Sequence, residues 1–514
     1  SSNFYISGDR NNVSNNYIDG TSASYGVNSL FYIYGSNNDV SGNQIGTSFS
    51  SQFYGDSGYG IKVEGNYNDL ASNYNSGGIY RSDSSHLWGT WIYGNYNTVD
   101  DDVAASFSCG GSAYVYGVSV YGDYNNITGS SSDYGGHSGS SGYGIVIAGD
   151  NNRVDSISNI DSINTDYSFG IYLDYGSEWN TISSNGPDNN DHGIFLYEAD
   201  YNTIYANSMY SSDDSGIHLY YSDNNDVSMN TLGTCNGAQG YYACLNLYEA
   251  DNNDFTWNSV YDCQVSGYGC VGLYNSDYND FSGEYYYDSD YELVTLQGGS
   301  DGNNFSSTYL GDAGADGVFV YDGSGYNWFG KLYFGYNGYP IYGDAFHVDT
   351  SSYNTFSNND LDYGSQYIYG YGFNISDSTG NNFIGNDMGS GYVTWDYFFN
   401  GSQPYQYDFS GDSLEFKTDY GSIKFSNTSL YASGSDLSSV IGVTGNKAFV
   451  NSTLQPGLNA SAGITLNNIY VETPDPRVDY NDDGTYEDCP SEVCTDMSYS
   501  NNIVTFNVSH FTSF

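Results

Sequence analysis

The segments YNTIYANSM at residues 201–209 and SGIHL at residues 215–219 contain the pattern that decides the fold. Each is a short run in which apolar and polar residues alternate, and Asn, Gly or Ser separates one run from the next. Alternation with a period of two indicates strands, and the separating residues indicate tight corners. The sequence therefore predicts three short strands in each repeating unit.

The same phrase recurs along the first four-fifths of the chain. Its second Asn is found fifteen times between Asn12 and Asn381, with a mean spacing of about 26 residues. A unit of this size cannot bury its own apolar face, but it can when stacked on its neighbours as a coil of a parallel solenoid. Equivalent residues of stacked coils lie about 4.8 Å apart. We therefore interpret the repeated Asn as a structural column in which amides hydrogen-bond to amides.

The composition excludes several classes of partner. The chain has 514 residues, with 61 Asp and Glu against 9 Lys and Arg, for a formal charge of −52. Nine scattered cations cannot form the basic face that nucleic acid or an anionic membrane requires. No apolar stretch reaches the roughly 18 to 20 residues of a membrane span, so membrane insertion is not expected for this chain. Strong helix formers are sparse, so the chain is predicted to be all-β.

The repeats resemble the right-handed parallel β-helix repeats of the NosD and pectate-lyase-like superfamily. The resemblance rests on the phrases at 201–209 and 215–219 and extends over about residues 1–400. It implies a right-handed parallel β-helix of about 15 coils. It does not imply one activity, because proteins with this fold include enzymes, adhesins and surface proteins.

The Asn period stops after about residue 400, which predicts two domains, a β-helix over 1–402 and a C-terminal module over 403–514. Alternating runs such as LEFKT and SIKFS indicate that the module is a small antiparallel β-sandwich. Its end, from Pro456 onward, resembles the terminal module of archaeal cell-surface β-helix proteins. That resemblance implies an extracellular or cell-surface location.

A calcium loop is predicted within this module. Asp479, Asn481, Asp483, Thr485 and Glu487 match the first nine positions of a D-x-N-x-D-G-x-x-E loop, in which alternate oxygens point at the ion. The bidentate Glu at the twelfth position is replaced by Pro490. The alternative interpretation is an acidic turn without an ion.

Six of the seven cysteines are predicted to form disulfides, which would favour an oxidising location. Cys489 and Cys494 bracket a short turn. Cys235, Cys244, Cys263 and Cys270 occupy equivalent places in neighbouring coils, so more than one pairing is compatible with their spacing. We favour Cys235 with Cys244 and Cys263 with Cys270, because each pair closes a local loop, and we expect Cys109 to be a buried free thiol.

Glycosylation signals of the form Asn-x-Ser/Thr predict covalent glycans on the chain. The four from Asn400 to Asn459 are the better candidates because they cluster at the boundary and in the terminal module. Asn12 also has the signal, but we discount it because it is assigned to the Asn column. The predicted sites are Asn126, Asn304, Asn374, Asn400, Asn427, Asn451, Asn459 and Asn507.

No enzyme activity is predicted. A polysaccharide lyase needs a base near a carboxylate cluster, but the cations of the repeat region, Arg10, Lys62, Arg81, Arg153 and Lys331, do not converge. We interpret His192, His218 and His347 as isolated surface or loop residues.

The favoured function is an extracellular structural glycoprotein that self-associates into a filament or surface layer. Residues 11–13 already belong to the first coil, so we expect that end of the solenoid to expose a strand edge that pairs with another copy. The alternative is a carbohydrate-binding or adhesin protein, because tyrosine rings can stack on sugars. A polysaccharide-degrading enzyme is less favoured.

Overall fold

The chain forms a parallel β-solenoid followed by antiparallel strands, as seen in a computed structural model. The described residues contain no α-helix and three 3₁₀ turns, at Tyr336–Gly338, Leu437–Ser439 and Pro456–Leu458. The structure describes all of the chain except residues 1, 19–27, 46–50, 53–56, 76–78, 82–85, 101–102, 105–107, 110–113, 130–131, 136–140, 158–159, 164–166, 237–241, 265–267, 364–366, 389–392, 403, 405, 412, 427–428, 436, 481–484 and 512–514. The all-β prediction and the parallel solenoid are confirmed.

Contacts divide the chain into two compact units, Ser1–Gly272 and Leu273–Phe514. In the first unit each coil contributes one long strand to a main sheet, in which all pairing is parallel. The long strands are Ser2–Ser7, Asn28–Tyr34, Ser57–Glu64, His86–Tyr93, Tyr114–Tyr121, Ser141–Ala148, Tyr167–Leu173, His192–Tyr197, Ser215–Tyr220 and Leu245–Tyr248.

A short corner strand follows the main strand in each coil of this unit. These strands are Asn12–Ser14, Asp39–Ser41, Asp69–Ala71, Thr98–Asp100, Asn126–Thr128, Arg153–Asp155, Thr181–Ser183, Thr203–Tyr205, Asp226–Ser228 and Asp254–Thr256. The middle residue of each points inward, so that a single column runs from Val40 through Ile127 to Phe255, each of them buried. A third strand completes the coil, for example at Ser208–Ser212, Thr231–Cys235 and Ser259–Cys263.

The second unit repeats this arrangement with larger side chains in its core. Its corner strands are Asp280–Ser282, Asn304–Ser306, Trp328–Gly330, Thr355–Ser357, Asn382–Ile384 and Gln406–Gly411, and its main-sheet strands include Val294–Gln297, Val318–Val320, Phe346–Asp349, Ile368–Ser376 and Val393–Asn400. Phe281, Phe305 and Phe329 stack inside, with ring centroids 4.4 and 5.4 Å apart. With ten described corner strands in the first unit and six in the second, the coil count differs somewhat from the expected fifteen.

Pairing changes from parallel to antiparallel in the second unit. Leu414–Thr418 pairs in parallel with Val393–Asn400 and antiparallel with Gly421–Phe425. Further antiparallel pairs join Gly421–Phe425 to Ala462–Leu466 and that strand to Ile503–Val508. The C-terminal antiparallel strands therefore continue directly from the edge of the solenoid. The domain boundary at 402/403 stays a prediction.

The Asn column is present and buried. Asn180 Nδ2 donates to Asn202 Oδ1 at 3.1 Å, and the backbone N–H of Asn202 donates to Asn225 Oδ1 at 2.8 Å. Asn202 is 1% exposed, and its Nδ2 also donates to the carbonyl of Ser177 at 2.9 Å. Each column Asn therefore joins its corner to the coil before it through the side-chain amide and to the coil after it through the backbone N–H.

The assignment of Asn12 to this column was wrong. Asn11 Nδ2 donates to Asn38 Oδ1 at 2.9 Å, whereas Asn12 lies opposite Asp39 and is exposed. Successive strand residues point to opposite faces, so a shift by one residue moves the side chain from the interior to the surface. The reason for discounting the glycosylation signal at Asn12 therefore does not hold.

The Asn column generates a stability prediction. Replacing Asn202 by Ala removes both an acceptor and a donor, and leaves the buried backbone groups of Asn180 and Ser177 without those partners. At about 1–3 kcal/mol for each unsatisfied group, we expect the free energy of unfolding to fall by roughly 2–4 kcal/mol in urea denaturation. Ser208→Ala, at an exposed residue of the next strand, is the control and should change it by less than about 0.5 kcal/mol. Equal effects of the two substitutions would contradict a role of the Asn column in stability.

Candidate functional site

The residues predicted to bind calcium lie in different environments. Asp479 is buried, and Thr485 and Glu487 are exposed. Asn481 and Asp483 lie outside the described residues. Calcium at this loop stays a prediction.

The disulfides join the pairs that the sequence analysis favours. Cys235 is bonded to Cys244 with Cα atoms 5.5 Å apart, and Cys263 to Cys270 at 5.2 Å. Cys235 and Cys263 also lie opposite each other in neighbouring strands, which is why spacing alone left the pairing open. The third bridge joins Cys489 and Cys494. The side chain of Cys109 lies outside the described residues.

The predicted glycosylation sites differ in accessibility. Asn459 and Asn507 are exposed, whereas Asn126, Asn304, Asn374, Asn400 and Asn451 are half-buried and Asn427 lies outside the described residues. Some are engaged in hydrogen bonds: Asn374 Nδ2 donates to Asp344 at 2.7 Å, and Asn459 Oδ1 accepts from the backbone of Phe511 at 3.0 Å. Glycosylation stays a prediction, with Asn507 and Asn459 the more exposed of these positions.

A row of exposed aromatic side chains lies at the corner beside the Asn column. The residue just before the column Asn adopts a left-handed conformation in every coil, with φ between 56° and 71°. Asn or Gly stands there in some coils, as at Asn151, Asn224 and Gly302, and these residues adopt this conformation readily. In the first unit, five coils have an aromatic residue there instead. We call these five the aromatic ridge: Tyr67, Tyr96, Tyr124, Trp179 and Tyr201.

The ridge side chains stack on each other and remain in contact with water. The rings of Tyr67 and Tyr96 lie 4.8 Å apart at an angle of 3°, and those of Tyr96 and Tyr124 lie 4.9 Å apart at 4°. Trp179 stacks on Tyr201 at 4.8 Å. Their exposed fractions run from 42% for Tyr201 to 57% for Trp179. The second unit has the same feature at Tyr278, Tyr326 and Tyr353.

These aromatic residues are unfavourable for folding at this position. A bulky residue with positive φ is a conformational outlier and costs about 1–3 kcal/mol, and half of each apolar ring stays in water. Asn occupies the same corner in neighbouring coils without that cost. Stacking between neighbouring ridge rings, about 0.5–1.5 kcal/mol per pair, offsets part of this cost, and strained residues of this kind cluster at ligand-binding surfaces.

Other aromatic residues serve packing. On the main sheet of the first unit, Tyr59, Trp88, Tyr116 and Tyr143 form a stack with centroids 4.7 to 5.2 Å apart, in which Tyr59 and Trp88 are each 9% exposed. Burial raises the pKa of Tyr143 to about 12. Aromatic residues of the first unit thus include a largely buried stack on the main sheet as well as the exposed ridge. Sequence analysis did not separate them, although the aromatic residue directly before the column Asn was a visible signal.

A cluster of two carboxylates and an imidazole lies in the second unit. Candidate ligand atoms of Asp316, Asp344 and His347 all lie within 4.8 Å of one another, so His347 is not isolated as the sequence suggested. His347 Nδ1 lies 2.8 Å from Asp316 Oδ2, and Asp344 accepts hydrogen bonds from the backbone of Tyr371 and from Asn374. Burial lowers the pKa of His347, but the hydrogen bond and charge of Asp316 outweigh it and hold that pKa above its usual value. This group can hold a proton between Asp316 and His347, and its donor set can coordinate a divalent cation.

Two further histidines are buried, which corrects their interpretation as surface or loop residues. His192 and His218 are each 2% exposed, and their ring centroids lie 5.2 Å apart. His192 Nδ1 lies 2.7 Å from Ser215 Oγ, whereas neither ring nitrogen of His218 has a hydrogen-bond partner among the described residues. Burial lowers the pKa of His192 to about 3, and burial and His192 together lower that of His218. Both imidazoles are therefore neutral at neutral pH.

Comparison with known proteins supports the family resemblance over part of the chain. The NosD family model, described as periplasmic copper-binding protein (NosD), matches residues 105–312, less than half of the chain. The match confirms the predicted resemblance to NosD-type β-helix repeats for that segment. A comparison with curated proteins gives no match.

Several solved structures are similar at low identity. The tailspike protein gp49 from Pseudomonas phage LKA1 is 9% identical, with 87% of each chain covered and a TM-score of 0.36. The Dettilon tailspike protein is 12% identical over 86% of this chain and 85% of its own, with a TM-score of 0.28. An alginate lyase from Paenibacillus sp. str. FPU-7 is 15% identical over 55% of this chain and 92% of its own, with a TM-score of 0.25. We transfer no activity from these proteins.

In the described part of the chain, no helix combines the length and the apolar character needed to cross a membrane.

The buried histidines generate a prediction on pH dependence. Between the unfolded pKa of about 6.5 and the lower folded pKa, the unfolded chain binds more protons than the folded one, so these residues reduce stability as the pH falls. Urea denaturation measures the free energy of unfolding at each pH. For His218→Phe we expect this free energy to fall less between pH 7 and pH 5 than in the natural chain, by about 2 kcal/mol.

Nearby carboxylates have the opposite effect on the pH dependence of stability, but their contribution cancels when the variant is compared with the natural chain. Burial, together with the charge of Asp191, raises the pKa of Asp214 to about 6. The contribution of Asp214 to the free energy of unfolding therefore grows as the pH falls. Both residues are present in the variant and in the natural chain. His86→Phe, at an exposed histidine, is the control and should follow the natural chain. Parallel curves for His218→Phe and the natural chain would contradict the prediction.

Proposed function

We propose that this protein is an exported β-helix protein that binds a neutral polysaccharide along the aromatic ridge. The observation that carries the proposal is the row of stacked aromatic residues held in a left-handed conformation that Asn adopts at lower cost. Aromatic rings and phenolic hydroxyls offer apolar contact and hydrogen bonds to sugars. The periplasmic description of the NosD family supports export.

The repeating geometry favours a polymer over a single small molecule. The rings of Tyr67, Tyr96 and Tyr124 lie 4.8 to 4.9 Å apart in successive coils, and Trp179 and Tyr201 form a second stack beyond the coil of Asn151, so a chain of repeating units can contact several equivalent side chains. Once one unit of a polymer is bound, its neighbours are held at a high effective concentration near the next ring, so several weak contacts together produce a higher overall affinity.

The surrounding charge favours a neutral polymer. Aspartates occupy the corner strands next to the ridge, as at Asp39, Asp69 and Asp100. Burial, together with the charges of Asp39 and Asp100, raises the pKa of Asp69. An acidic polymer would meet this negative field, whereas a neutral polymer would not.

Binding without cleavage is part of the proposal. The five ridge side chains are rings and hydroxyls without a carboxylate or cation, and the aspartates beside them, such as Asp39 and Asp69, repeat at equivalent positions of neighbouring coils. General acid–base catalysis requires an acid and a base placed at one reacting bond. We therefore propose no enzyme activity at this surface.

Copper binding is not proposed. The Asp316, Asp344 and His347 group contains one imidazole and two carboxylates, without the soft thiolate or thioether ligands that select Cu(I). Among the described residues it is the one group of three or more His, Cys, Asp or Glu side chains close enough to share an ion.

Substitution of the ridge tests the proposed function. The triple variant Tyr67→Asn, Tyr96→Asn, Tyr124→Asn should bind soluble neutral polysaccharides at least tenfold more weakly, as measured by affinity electrophoresis and calorimetry over a panel of glucans, mannans and xylans. Its stability should change little, because relief of backbone strain offsets the lost stacking of about 0.5–1.5 kcal/mol per pair.

The control changes three tyrosines that are similarly exposed but lack a positive φ. Tyr17, Tyr205 and Tyr210 are 61%, 41% and 41% exposed, and their replacement by Asn should leave binding within twofold. Equal losses in both triple variants, or no binding of any neutral polymer by the natural chain, would overturn the proposal. Release of new reducing or unsaturated ends from the panel would overturn the absence of cleavage.

Self-association into a filament or surface layer, which the sequence favours, remains a second proposal. Light scattering of the full chain across a concentration series tests it: particles that grow with concentration would support it. A constant mass near 56 kDa would refute it.

A further inference from the structure

Residues of the C-terminal antiparallel strands and of the segment 469–477 line an open cavity of about 520 Å³. Its volume lies in the range of about 300–1,000 Å³ that is usual for small-molecule sites. Leu466, Val504 and Phe506 line the cavity and form its apolar floor. Only 3–7% of the surface of each of these residues is exposed. Ile469, Val471 and the two prolines Pro474 and Pro476 extend the apolar wall.

Two of the nine cations of the chain line this one cavity. Lys447 Nζ lies 5.6 Å from the ring centroids of both Phe449 and Tyr486, and it forms no ion pair within the described residues. Arg477 pairs with Asp488 at 3.3 Å, but both side chains are more than half exposed. Such exposed pairs contribute little and exchange readily with another anion.

The charge of the lining differs from that of the rest of the molecule. Among the described lining residues Asp475 is the one carboxylate, and Asp488 outside the lining pairs with Arg477, so Lys447 is the cation of this cavity that has no ion-pair partner among the described residues. The whole chain carries −52. A partly apolar cavity with an ammonium group outside any ion pair, an exposed and exchangeable guanidinium pair and a tyrosine ring is complementary to a ligand that combines an anionic group with a ring-sized body.

We infer that this cavity binds a short acidic oligosaccharide, with Lys447 and Arg477 facing its carboxylates and Tyr486 contacting a sugar ring. The site is distinct from the aromatic ridge, which contains no cation. The volume and the apolar floor favour a small molecule over a second copy of this chain or another macromolecule.

The net charge of the chain restricts the length of the ligand. Charges are screened over about 8–10 Å at physiological ionic strength, so a uronate of two or three units responds to Lys447, Arg477 and the carboxylates beside them and not to the charge of the remaining chain. A long polyuronate extends into the negative field of the remaining chain. Affinity per chain should therefore fall with ligand length at low salt, and this dependence should weaken at high salt.

Calorimetry of the full chain with trigalacturonate tests the inference. Lys447→Met and Arg477→Met should each weaken binding about tenfold. Lys331→Met removes the same charge from an exposed residue of the solenoid and should leave affinity within twofold. The methyl ester of trigalacturonate keeps the rings but lacks the negative charge, and should bind at least tenfold more weakly than the acid.

The outcomes separate the alternatives. Equal binding of the ester and the acid, or equal effects of Lys447→Met and Lys331→Met, would overturn the inference. Binding of benzoate at least as tight as that of trigalacturonate would assign the cavity to aromatic carboxylates and overturn the sugar. Loss of binding on dilution of the protein, with ligand in excess, would instead indicate a site completed by a second copy. The ridge triple variant should bind trigalacturonate normally, so failure here is distinguishable from failure of the proposed function.

Discussion

The buried asparagine amide is the interaction on which the coils depend. A parallel coil turns sharply at its corner, and the backbone groups there cannot all pair within the sheets. The buried Asn202 meets this need by accepting from Asn180 and donating to the carbonyl of Ser177. Because each amide serves its own coil and both neighbours, the corner geometry is repeated with little variation along each unit.

That repetition also imposes a constraint beside the column. The residue before each column Asn must adopt a left-handed conformation, so the corner offers one exposed position per coil at a defined spacing. Asn and Gly meet the constraint at low cost, as at Asn151 and Gly302, whereas Tyr96 and Trp179 do not. A structural requirement of the fold thus produces a regular array of surface positions. The side chains placed there determine what the surface can bind.

The net charge of the whole chain and the charges at the C-terminal cavity favour different ligands. With a formal charge of −52, the chain repels long polyanions, which favours neutral ligands along the ridge. At the C-terminal cavity, Lys447 has no ion-pair partner among the described residues, and the pair of Arg477 with Asp488 is exposed, so an anion can reach both cations. The same molecule therefore offers two chemically different surfaces.

The sequence by itself determined the strand periodicity, the parallel stacking and the role of the Asn column, because these depend on residues that repeat at a fixed spacing. It favoured the local disulfides but left their pairing open, since Cys235 and Cys263 also lie opposite each other in neighbouring strands. It placed Asn12 in the column in error, since a shift of one residue is invisible in a run of consecutive asparagines. Only the tertiary structure decided that His192 and His218 are buried, that Asp316 and Asp344 meet His347, and that Lys447 and Arg477 share a cavity. These side chains come from different coils or strands, and their proximity depends on packing across the sheets, for which the repeat contains no signal.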